Sequence, residues 1–484
     1  MFLKFADFAP DAATVETGNS ETILNVLPSA VGYRPALAKA AYSGALPAAC
    51  RGAVSFQTLD GGWRIVAATL DKLYIIDTST VPIGWTEAGT GYTGPDSDEN
   101  WSFAPYLGYL YATNVNDGLK RLEIEAGTTF ATVAGSPPAA RYIGVHGAYL
   151  VLGALTGDTS SIAWCDTYAP TNWSTGNADT QTFADGGPVM GICGAAERII
   201  QQRAEQLMIP QPGSSIVFAF KKDVQARGTI AAQSIIQVGS DYAYLAEDGF
   251  YFNRQPIGKT KVDKWFFDNA DTSRLGTVLG AFDPLNAMFR WAYHTDSVAA
   301  FDRQLVYAPN LQPPRWAPIT DSVTYFTNIA TAGLTLAGVA ALYATLDLVP
   351  YPFGSRVWQG GRPTFAVFGS DDKLSFYEGS ALVATMETGE QGIVPGYRTR
   401  INGVRPLIDG DTGAAATARL GTRQRIAGTV DYGSYAALQD SGRVPLRKDG
   451  RYHRVGISIP AGSTWTHAKG VEVPDGDVTR LGIR

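Results

Sequence analysis

The side chains that could carry out chemistry are few and widely spaced in this 484-residue sequence. Its four histidines form neither an HxxxH nor an HExxH pair, so a helical zinc site is not predicted. The three cysteines, Cys50, Cys165 and Cys193, lie too far apart in sequence for a thiolate metal cluster or a disulfide framework. His453 falls between arginines on an alternating segment, and we interpret it as a structural or surface residue.

Paired carboxylates are the remaining candidates, because a glycosidase needs two of them about 5–10 Å apart in a groove. The densest clusters are 96–99 (DSDE) and Asp371-Asp372, both in turn-like segments, while Asp158 and Asp166 flank a short strand. We interpret all of these as solvated turn residues, and the many aromatic residues as core rather than a sugar-binding platform. The sequence therefore predicts no catalytic, cofactor-binding or metal-binding residue, no cofactor and no enzymatic activity.

The composition indicates the kind of scaffold that would position such residues. Charged residues make up 17% of the chain, against a typical ~25%, while glycine (53) and proline (27) are abundant. This pattern argues against a disordered chain, a coiled coil or collagen, and it favours short strands joined by tight turns. The net charge of −6 gives no indication of a basic nucleic-acid-binding surface.

A turn followed by an alternating aromatic and aliphatic run recurs along the chain, centred on Leu73, Tyr109, Tyr149, Ala243, Phe289 and Leu374. The spacing is roughly 40–50 residues, if the two longest intervals are each counted as two steps, and this is typical of propeller blades. The sequence thus predicts an all-β fold whose body, residues 35–390, is a β-propeller of six to eight blades. An irregular β-sandwich is the alternative.

Two segments are ambiguous at this level. Residues 329–346 contain no charged side chain and approach the length of a membrane span. Their threonines and glycines favour buried strands, with a membrane or interfacial segment as the alternative. Residues 197–207 are the best helical candidate, although their glutamine-rich pattern also fits a pair of strands.

The charge distribution indicates a boundary near residue 390. Residues 398–484 carry a net charge of +6 and residues 1–397 a net charge of −12. We therefore predict a small β-sandwich-like domain at 391–484 and, because residues 1–34 are rich in Asp, Thr, Glu and Ala, an extended N-terminal arm. We assign the C-terminal arginines to contacts between subunits, with binding of DNA phosphates as the alternative. They are Arg398, Arg400, Arg405, Arg423, Arg425, Arg443, Arg447, Arg451 and Arg454.

A series of short motifs resembles the tail accessory proteins of short-tailed bacteriophages, the group that includes tail nozzle and packaged-DNA-stabilisation proteins. Segments 161–166 (SIAWCD) and 169–173 (APTNW) are the most distinctive. The others, in order, are 24–28 (LNVLP), 32–35 (GYRP), 213–220 (GSSIVFAF), Gly228 with Ser234, 247–251 (EDGFY), 256–263 (PIGKTKVD), 283–286 (DPLN) with Trp291, Arg315-Trp316 and 449–454 (DGRYHR).

This resemblance, which spans most of the chain, implies a propeller-bearing structural protein of the virion tail, assembled in the host cytoplasm. The subunits would form a ring, usually a homohexamer, below the portal and adaptor, which extends the DNA channel, retains packaged DNA and conducts it during ejection. The chain is much shorter than the longest nozzle proteins, so it could be the distal nozzle or an intermediate ring. The alternatives are a carbohydrate-binding or depolymerising tail protein and a non-viral propeller interaction module.

The implied ring would have double-stranded DNA as a partner and no small-molecule substrate. Arginine-lined walls would bind the phosphate backbone strongly, whereas a conduit must let the duplex slide. We therefore expect a neutral to acidic lumen without base-specific contacts. The alternative is that the negative charge only keeps the outer surface soluble.

Overall fold

The computed structural model describes residues 1–15, 17–80, 82–214, 216–296, 300–349, 351–411 and 416–482. Ser215, part of one motif quoted above, lies outside them. Most regular structure in these residues is β-strand, in five four-stranded sheets, two seven-stranded sheets, one six-stranded sheet and one two-stranded sheet. This arrangement confirms the predicted all-β fold class.

Each four-stranded sheet is an antiparallel meander, with short connections except for residues 165–178 in the third of these sheets. In one hairpin Leu107 and Gly108 both have positive φ, 47° and 78°, as a type I′ turn requires. The twist of such a turn matches that of the flanking strands. Ser102–Tyr106 and Tyr109–Thr113 therefore pair in register along their whole length.

The five four-stranded sheets follow one another in sequence as blades 1 to 5. Blade 1 consists of Ala53–Gln57, Trp63–Ala68, Leu73–Asp77 and Gly84–Gly89. Blade 2 consists of Ser102–Tyr106, Tyr109–Thr113, Lys120–Glu123 and Ala131–Thr132. Blade 3 consists of Ala140–His146, Tyr149–Leu155, Asp158–Trp164 and Asp179–Thr182. Blade 4 consists of Val189–Cys193, Arg198–Gln201, Ala204–Pro210 and Phe218–Gln225, and blade 5 of Ile236–Val238, Asp241–Ala246, Gly249–Phe252 and Gln255–Pro256.

One seven-stranded sheet forms the last two blades, because the long strand Arg315–Ile329 serves both of them. Its first half pairs with Phe301–Ala308 and its second half with Thr364–Gly369. Blade 6 contains Leu279–Asp283, Met288–Tyr293, Phe301–Ala308 and the first half of the long strand. Blade 7 contains its second half, Thr364–Gly369, Lys373–Phe376 and the N-terminal strand Ala40–Ala45.

The blades close into a ring. The inner strand of blade 7 contacts that of blade 1, where Thr327 Oγ1 donates to the Ala53 carbonyl at 3.0 Å and Ala330 N donates to Ser55 Oγ at 2.9 Å. Closure removes long exposed sheet edges. The described residues thus form a seven-bladed β-propeller, within the predicted range of six to eight blades.

The predicted blade spacing is wrong between Phe289 and Leu374, which are separated by one step rather than two. The extra residues form an insertion at 330–363 in blade 7, with helix α2 at Leu336–Leu342, helix α3 at Arg356–Gln359 and a 3₁₀ turn at Leu346–Leu348. Segment 329–346 is therefore not a pair of buried strands. Among the described residues, no helix has both the length and the apolar character needed to cross a bilayer.

The ambiguous segment 197–207 is a strand pair in blade 4, not a helix. Arg198–Gln201 and Ala204–Pro210 pair with each other, and Ile199 and Ile200 are fully buried on opposite sides of the sheet. The other α-helix in the described residues is α1, at Asp263–Asn269 after blade 5. Short 3₁₀ turns lie at Gly194–Ala196, Ala232–Ser234, Thr272–Thr277 and Asp475–Asp477.

The C-terminal residues form two sheets with a common hydrophobic core. Sheet A contains Phe2–Lys4, Val26–Pro28, Tyr33–Pro35, Arg398–Asp411, Val444–Gly450, Thr464–Glu472 and Val478–Gly482. Sheet B contains Ile23–Leu24, Ala384–Glu387, Thr417–Arg423, Asp431–Tyr432, Ala436–Ala437 and Tyr452–Ile459. Because Ala384–Glu387 belongs to sheet B, this unit, which we call the sandwich, begins before the expected boundary at residue 391.

The N-terminal residues are not an extended arm, and that prediction is wrong. They contribute strands to both sheets of the sandwich, and Asp7–Phe8 pairs in parallel with Asn19–Ser20. Leu3, Phe5 and Phe8 are 1–2% exposed. The overall polar composition of residues 1–34 hid these few apolar positions, which fix the segment in the core.

The propeller and the sandwich share one core. Phe250, Trp291 and Trp316 of blades 5 and 6 belong to the same buried cluster as Val455 and Ile457 of sheet B. The N-terminal segment ties the units together further, since Asn25 N donates to the Pro318 carbonyl at 3.0 Å and Thr320 N donates to Asn25 Oδ1 at 2.7 Å. The two units therefore pack as one body.

Candidate functional site

The insertion of blade 7, residues 330–363, carries the clearest candidate interaction surface. Between Ile329 and Arg356 the sequence has a single charged residue, Asp347. Thr335 Oγ1 accepts a hydrogen bond from Gly338 N and caps α2, and Ser355 Oγ caps α3 through Val357 N. These caps fix short helices that have little stability of their own.

One side of the insertion is anchored and the other is exposed. Val339, Tyr351 and Trp358 are 3–4% exposed and pack in a cluster with residues of blades 1 and 7. On the outside, by contrast, Leu336 is 72% exposed, Leu348 60% and Phe353 51%. Contiguous exposed apolar surface marks interaction sites in soluble proteins, and this insertion carries three exposed large apolar side chains and a single charged residue. We call these three residues the apolar face.

Four of the nine arginines assigned to contacts between subunits bind carboxylates of their own chain. Arg454 Nη2 lies 2.7 Å from Glu390 Oε2, and Arg423 pairs with the same carboxylate. Arg398 pairs with Asp449 through Nε at 2.7 Å, and Arg443 with Asp477 through Nε at 2.9 Å. These four arginines thus have partners within the chain, and their assignment to contacts between subunits stays a prediction.

The other five arginines have no ion pair with the described residues: Arg400, Arg405, Arg425, Arg447 and Arg451. Arg405, Arg425 and Arg447 are exposed, and Arg400 and Arg451 are half-buried. Their assignment to contacts between subunits stays a prediction.

The carboxylate clusters found in the sequence lie in different places. Asp98 and Glu99 line a cavity of about 460 Å³ at one mouth of the central channel, where Arg141 pairs with Glu99. The guanidinium of Arg141 also reaches Asp96, at 3.1 Å. Asp158, at the start of its strand, accepts hydrogen bonds from Ser161 Oγ and Ser160 N, and Asp166 accepts one from Asn177 N; these bonds lower the pKa of both carboxyls.

The second cluster, Asp371-Asp372, lies in the turn between two strands of blade 7. Burial and the neighbouring Asp371 raise the pKa of Asp372, and Lys373 Nζ lies 3.9 Å from Asp371. The described residues contain no cluster of three or more His, Cys, Asp or Glu side chains arranged to hold a metal ion. His453 is fully buried, with Nε2 2.9 Å from Thr399 Oγ1, and this burial lowers its pKa.

One acidic residue that the sequence analysis missed has a strongly perturbed pKa. Asp263, the first residue of α1, lies in a groove of about 840 Å³, and its Oδ1 accepts a hydrogen bond from Phe250 N at 3.2 Å. Burial, together with the charges of Asp11 and Asp248, raises its pKa to about 7. Segment 256–263, one of the motifs that carry the resemblance, includes this position, but burial of its carboxyl could not be inferred from the sequence.

Comparisons with known proteins identify no family for this chain. No protein-family model matches the sequence, and no curated protein matches it. Among solved structures, BamB from Moraxella catarrhalis is similar at 10% identity and a TM-score of 0.34, with 73% of this chain and 94% of that chain covered.

Two glycoside hydrolases also resemble the chain. A structure named "Glycoside hydrolase" is 10% identical, covers 89% of this chain and 99% of its own, and has a TM-score of 0.22. A mutant of the GH43 protein BlXynB from Bacillus licheniformis is 9% identical to this chain. The match covers 92% of this chain and 90% of that chain, with a TM-score of 0.22. These two hydrolases overturn the sequence-based prediction that the chain is not an enzyme. At such TM-scores they assign no reaction, substrate or catalytic residue to it.

The buried Arg454 of the sandwich is expected to contribute to the stability of the fold. Arg454 is 5% exposed and neutralises Glu390 and Glu387, which are 2% and 0% exposed. Arg454→Met should lower the free energy of unfolding by about 3–5 kcal/mol, because it leaves buried carboxylates without a full countercharge. Arg447→Gln, at an exposed position of the same unit, should change it by less than about 0.5 kcal/mol. Urea unfolding of both variants measures this difference, and equal stabilities would contradict the structural role.

Asp263 makes stability depend on pH. An unfolded aspartate titrates near pH ~3.9, so between about pH 4 and 7 the unfolded chain releases this proton more readily than the folded chain. The free energy of unfolding should therefore fall as pH rises through this window. Asp263→Asn keeps an acceptor for Phe250 N but carries no charge. Its melting temperature should exceed that of the wild type by a margin that grows from pH 4 to pH 7 and then levels off; a margin independent of pH would exclude this account.

Proposed function

We propose that this chain is a structural subunit of a bacteriophage tail, which assembles with copies of itself into a ring around the path of the DNA. The observation that carries the proposal is the apolar face of the insertion. Its three large side chains are exposed in the single chain, and burial against a neighbouring copy would remove them from water. Obligate interfaces of this kind bury about 2,000–5,000 Å² and are more apolar than transient ones.

The residues that carry the resemblance to tail accessory proteins support this proposal through their structural roles. Asp283 accepts hydrogen bonds from Leu285 N and Asn286 N and thereby fixes a tight turn in blade 6. Arg315 reaches Asp7 at 2.8 Å and so links blade 6 to the N-terminal segment. These motifs thus fix turns and contacts of the fold. Proteins of one structural family would share such motifs, because the family shares its architecture.

The proposed ring is a homohexamer in the virion tail, next to the portal and adaptor, with double-stranded DNA passing through its lumen without sequence-specific contacts. Arg400, Arg405, Arg425, Arg447 and Arg451 are available for carboxylates of adjacent subunits or tail proteins. The net charge of −12 on residues 1–397 favours a lumen that repels the duplex and leaves a hydrated gap around it.

Measuring the mass of the full chain in solution by light scattering tests the assembly. We expect about six times 51.7 kDa for the wild type. The double variant Leu336→Asp/Phe353→Asp should dissociate to monomers, because it places two charges in the proposed interface. Ile216→Asp is the matched control: this residue is 64% exposed and lies in a turn of blade 4, so the variant should retain the ring. A monomeric wild type, or a double variant that still assembles, would refute the proposal.

A second candidate is a carbohydrate-binding or depolymerising tail protein. It is favoured by the channel-mouth cavity of about 460 Å³, which brings Asp98 and Glu99 together with Trp101 and Tyr142. Carboxylates beside aromatic rings suit a sugar substrate. Release of sugar from a host surface polysaccharide, abolished by Glu99→Gln, would establish this function. No release, and no binding of the polysaccharide, would exclude it.

A further inference from the structure

Three exposed apolar side chains lie at one end of the propeller. Leu59 of blade 1 is 87% exposed, Leu107 of blade 2 is 48% exposed and Tyr168 of blade 3 is 65% exposed. Each lies in a connection between the first and second or the third and fourth strands of its blade. Because consecutive strands of a meander run in opposite directions, all these connections lie at the same end of the ring. We call this end of blades 1 to 3 the loop end.

Hydrogen bonds join the connections of the loop end from blade to blade. Leu59 N donates to Glu125 Oε1, and this bond crosses from blade 1 to blade 2. Tyr106 Oη, beside the first turn of blade 2, donates to the Ala148 carbonyl of blade 3 at 2.5 Å. Tyr168 N donates to the same carbonyl at 3.0 Å. The exposed apolar side chains therefore belong to loops that are in contact with one another.

The charged residues in the connections of the loop end are all acidic. They are Asp60, Glu125 and Asp166, and none of them forms an ion pair within the described part of the chain. The connections span 58–62, 78–83, 107–108, 124–130, 147–148 and 165–178. Apolar side chains beside unpaired carboxylates favour a partner surface that offers both cations and apolar groups.

The strands that flank these connections do not cancel the negative charge. Asp77, Glu123 and Asp179 border the connections, and Arg64 and Arg121 lie slightly further along their strands. With these residues counted, six carboxylates stand against two guanidinium groups. The loop end therefore combines a net negative charge with exposed apolar side chains.

The opposite charge is concentrated at one end of the sandwich. Arg451 N donates to the Arg423 carbonyl at 3.2 Å, and Arg425 lies two residues further along the chain. Arg400 lies opposite Asp449, two residues before Arg451, in the pairing of their strands. The fold thus brings together three of the five arginines that have no ion pair with the described residues: Arg400, Arg425 and Arg451.

The carboxylates around these three arginines already have partners. Asp449, Glu390 and Asp431 each form an ion pair with a cation of the sandwich. The three arginines therefore leave an excess of positive charge. Next to Arg425, which is exposed, lies Ile426, which is 58% exposed. We call the three arginines and Ile426 the basic end of the sandwich.

We propose that the basic end of the sandwich in one copy of the chain binds the loop end of the propeller in the next copy. The arginines meet the carboxylates, and Ile426 meets the exposed apolar side chains. Arginine suits this contact because its planar fork matches a carboxylate. Opposite net charges also favour this docking over contact between two loop ends or two basic ends.

This contact is heterologous, because two different surfaces of the same chain meet. Repeated from copy to copy, such a contact builds a ring if the rotation closes. The inference rests on the proposed assembly and names the partner of its interface. The insertion 330–363 connects the first and second strands of blade 7, so the apolar face lies at the same end of the propeller as the loop end.

Mixing two full-length variants tests the contact by light scattering. Asp60→Lys/Glu125→Lys alters the loop end, and Arg425→Glu/Ile426→Ser alters the basic end. Each variant alone should be a monomer, because every contact between identical copies then includes one altered surface. An equimolar mixture should form dimers of about twice 51.7 kDa and nothing larger, since each dimer has one intact contact and no further intact pair of surfaces.

The control variant is Asp71→Lys/Glu247→Lys, which makes the same change of charge at two exposed positions at the opposite end of the propeller. It should assemble like the wild type. The altered side chains are all exposed, and melting curves verify that each variant is folded.

The outcomes separate this inference from the proposed assembly. Either altered variant assembling alone like the wild type would overturn the inference and leave the assembly proposal intact. A mixture that stays monomeric, or one that grows beyond dimers, would overturn the inference as well, and so would loss of assembly in the control variant. A monomeric wild type would instead refute the assembly itself and this inference with it.

Discussion

Pairing between the two ends of the chain is the constraint on which both structural units depend. Ala40–Ala45 is the outer strand of blade 7 and pairs with Lys373–Phe376, more than three hundred residues later. Upstream of it, Phe2–Lys4 and Ile23–Leu24 complete the two sheets of the sandwich. Without residues 1–45, blade 7 would expose a sheet edge and both sandwich sheets would lose strands. Bringing two segments together that are so distant in sequence costs conformational entropy. Burial of the core that these segments form must offset this cost.

The shared core follows from this crossing of the N-terminal segment. The ring centroid of Phe250 lies 4.8 Å from that of Trp291 and 5.4 Å from that of Trp316, in tilted contacts, and these rings pack with aliphatic residues of the sandwich. Where the segment leaves this dry cluster, it carries Arg34 into the joint beside Arg290 and Asp283. The same geometry that fuses the two units thus also brings the half-buried Arg34 close to the buried ion pair between Arg290 and Asp283.

The sequence predicted the propeller because strand alternation and turn residues are local signals that repeat in every blade. It failed where long-range packing decides the outcome. The apolar residues Leu3, Phe5 and Phe8 are too few to raise the average of their segment, yet each is buried. Segment 329–346 lacks charges because it covers the cluster around Tyr42 and Trp358, not because it forms strands.

The candidate sites were still harder to infer from sequence. The pairing of Arg454 with Glu390 joins a residue of the strand Tyr452–Ile459 to one that follows the strand Ala384–Glu387, and neither spacing nor composition encodes it. Likewise, the cavity of about 350 Å³ that is lined by Arg34, Arg290, Phe365 and Trp465 is formed by the N-terminal segment, two blades and a sheet of the sandwich, so no local motif describes it. The carboxylate cluster at 96–99 was recognisable from the sequence, but its position at the mouth of the channel could not be predicted from it.

Intramolecular pairing also changes what the C-terminal charge can do. The net charge of +6 for residues 398–484 already includes Asp449 and Asp477, the partners of Arg398 and Arg443, but not Glu390, which pairs with Arg423 and Arg454 from outside this segment. Affinity for a DNA duplex grows with the number of phosphates that free cations neutralise. Arg423 and Arg454, whose ion pairs with Glu390 are buried, cannot contribute without breaking those pairs, at a cost of about 3–5 kcal/mol. The surface of the sandwich is therefore a weaker attractor of DNA than its composition indicates, and this reduces the tendency of a ring of such subunits to hold a passing duplex.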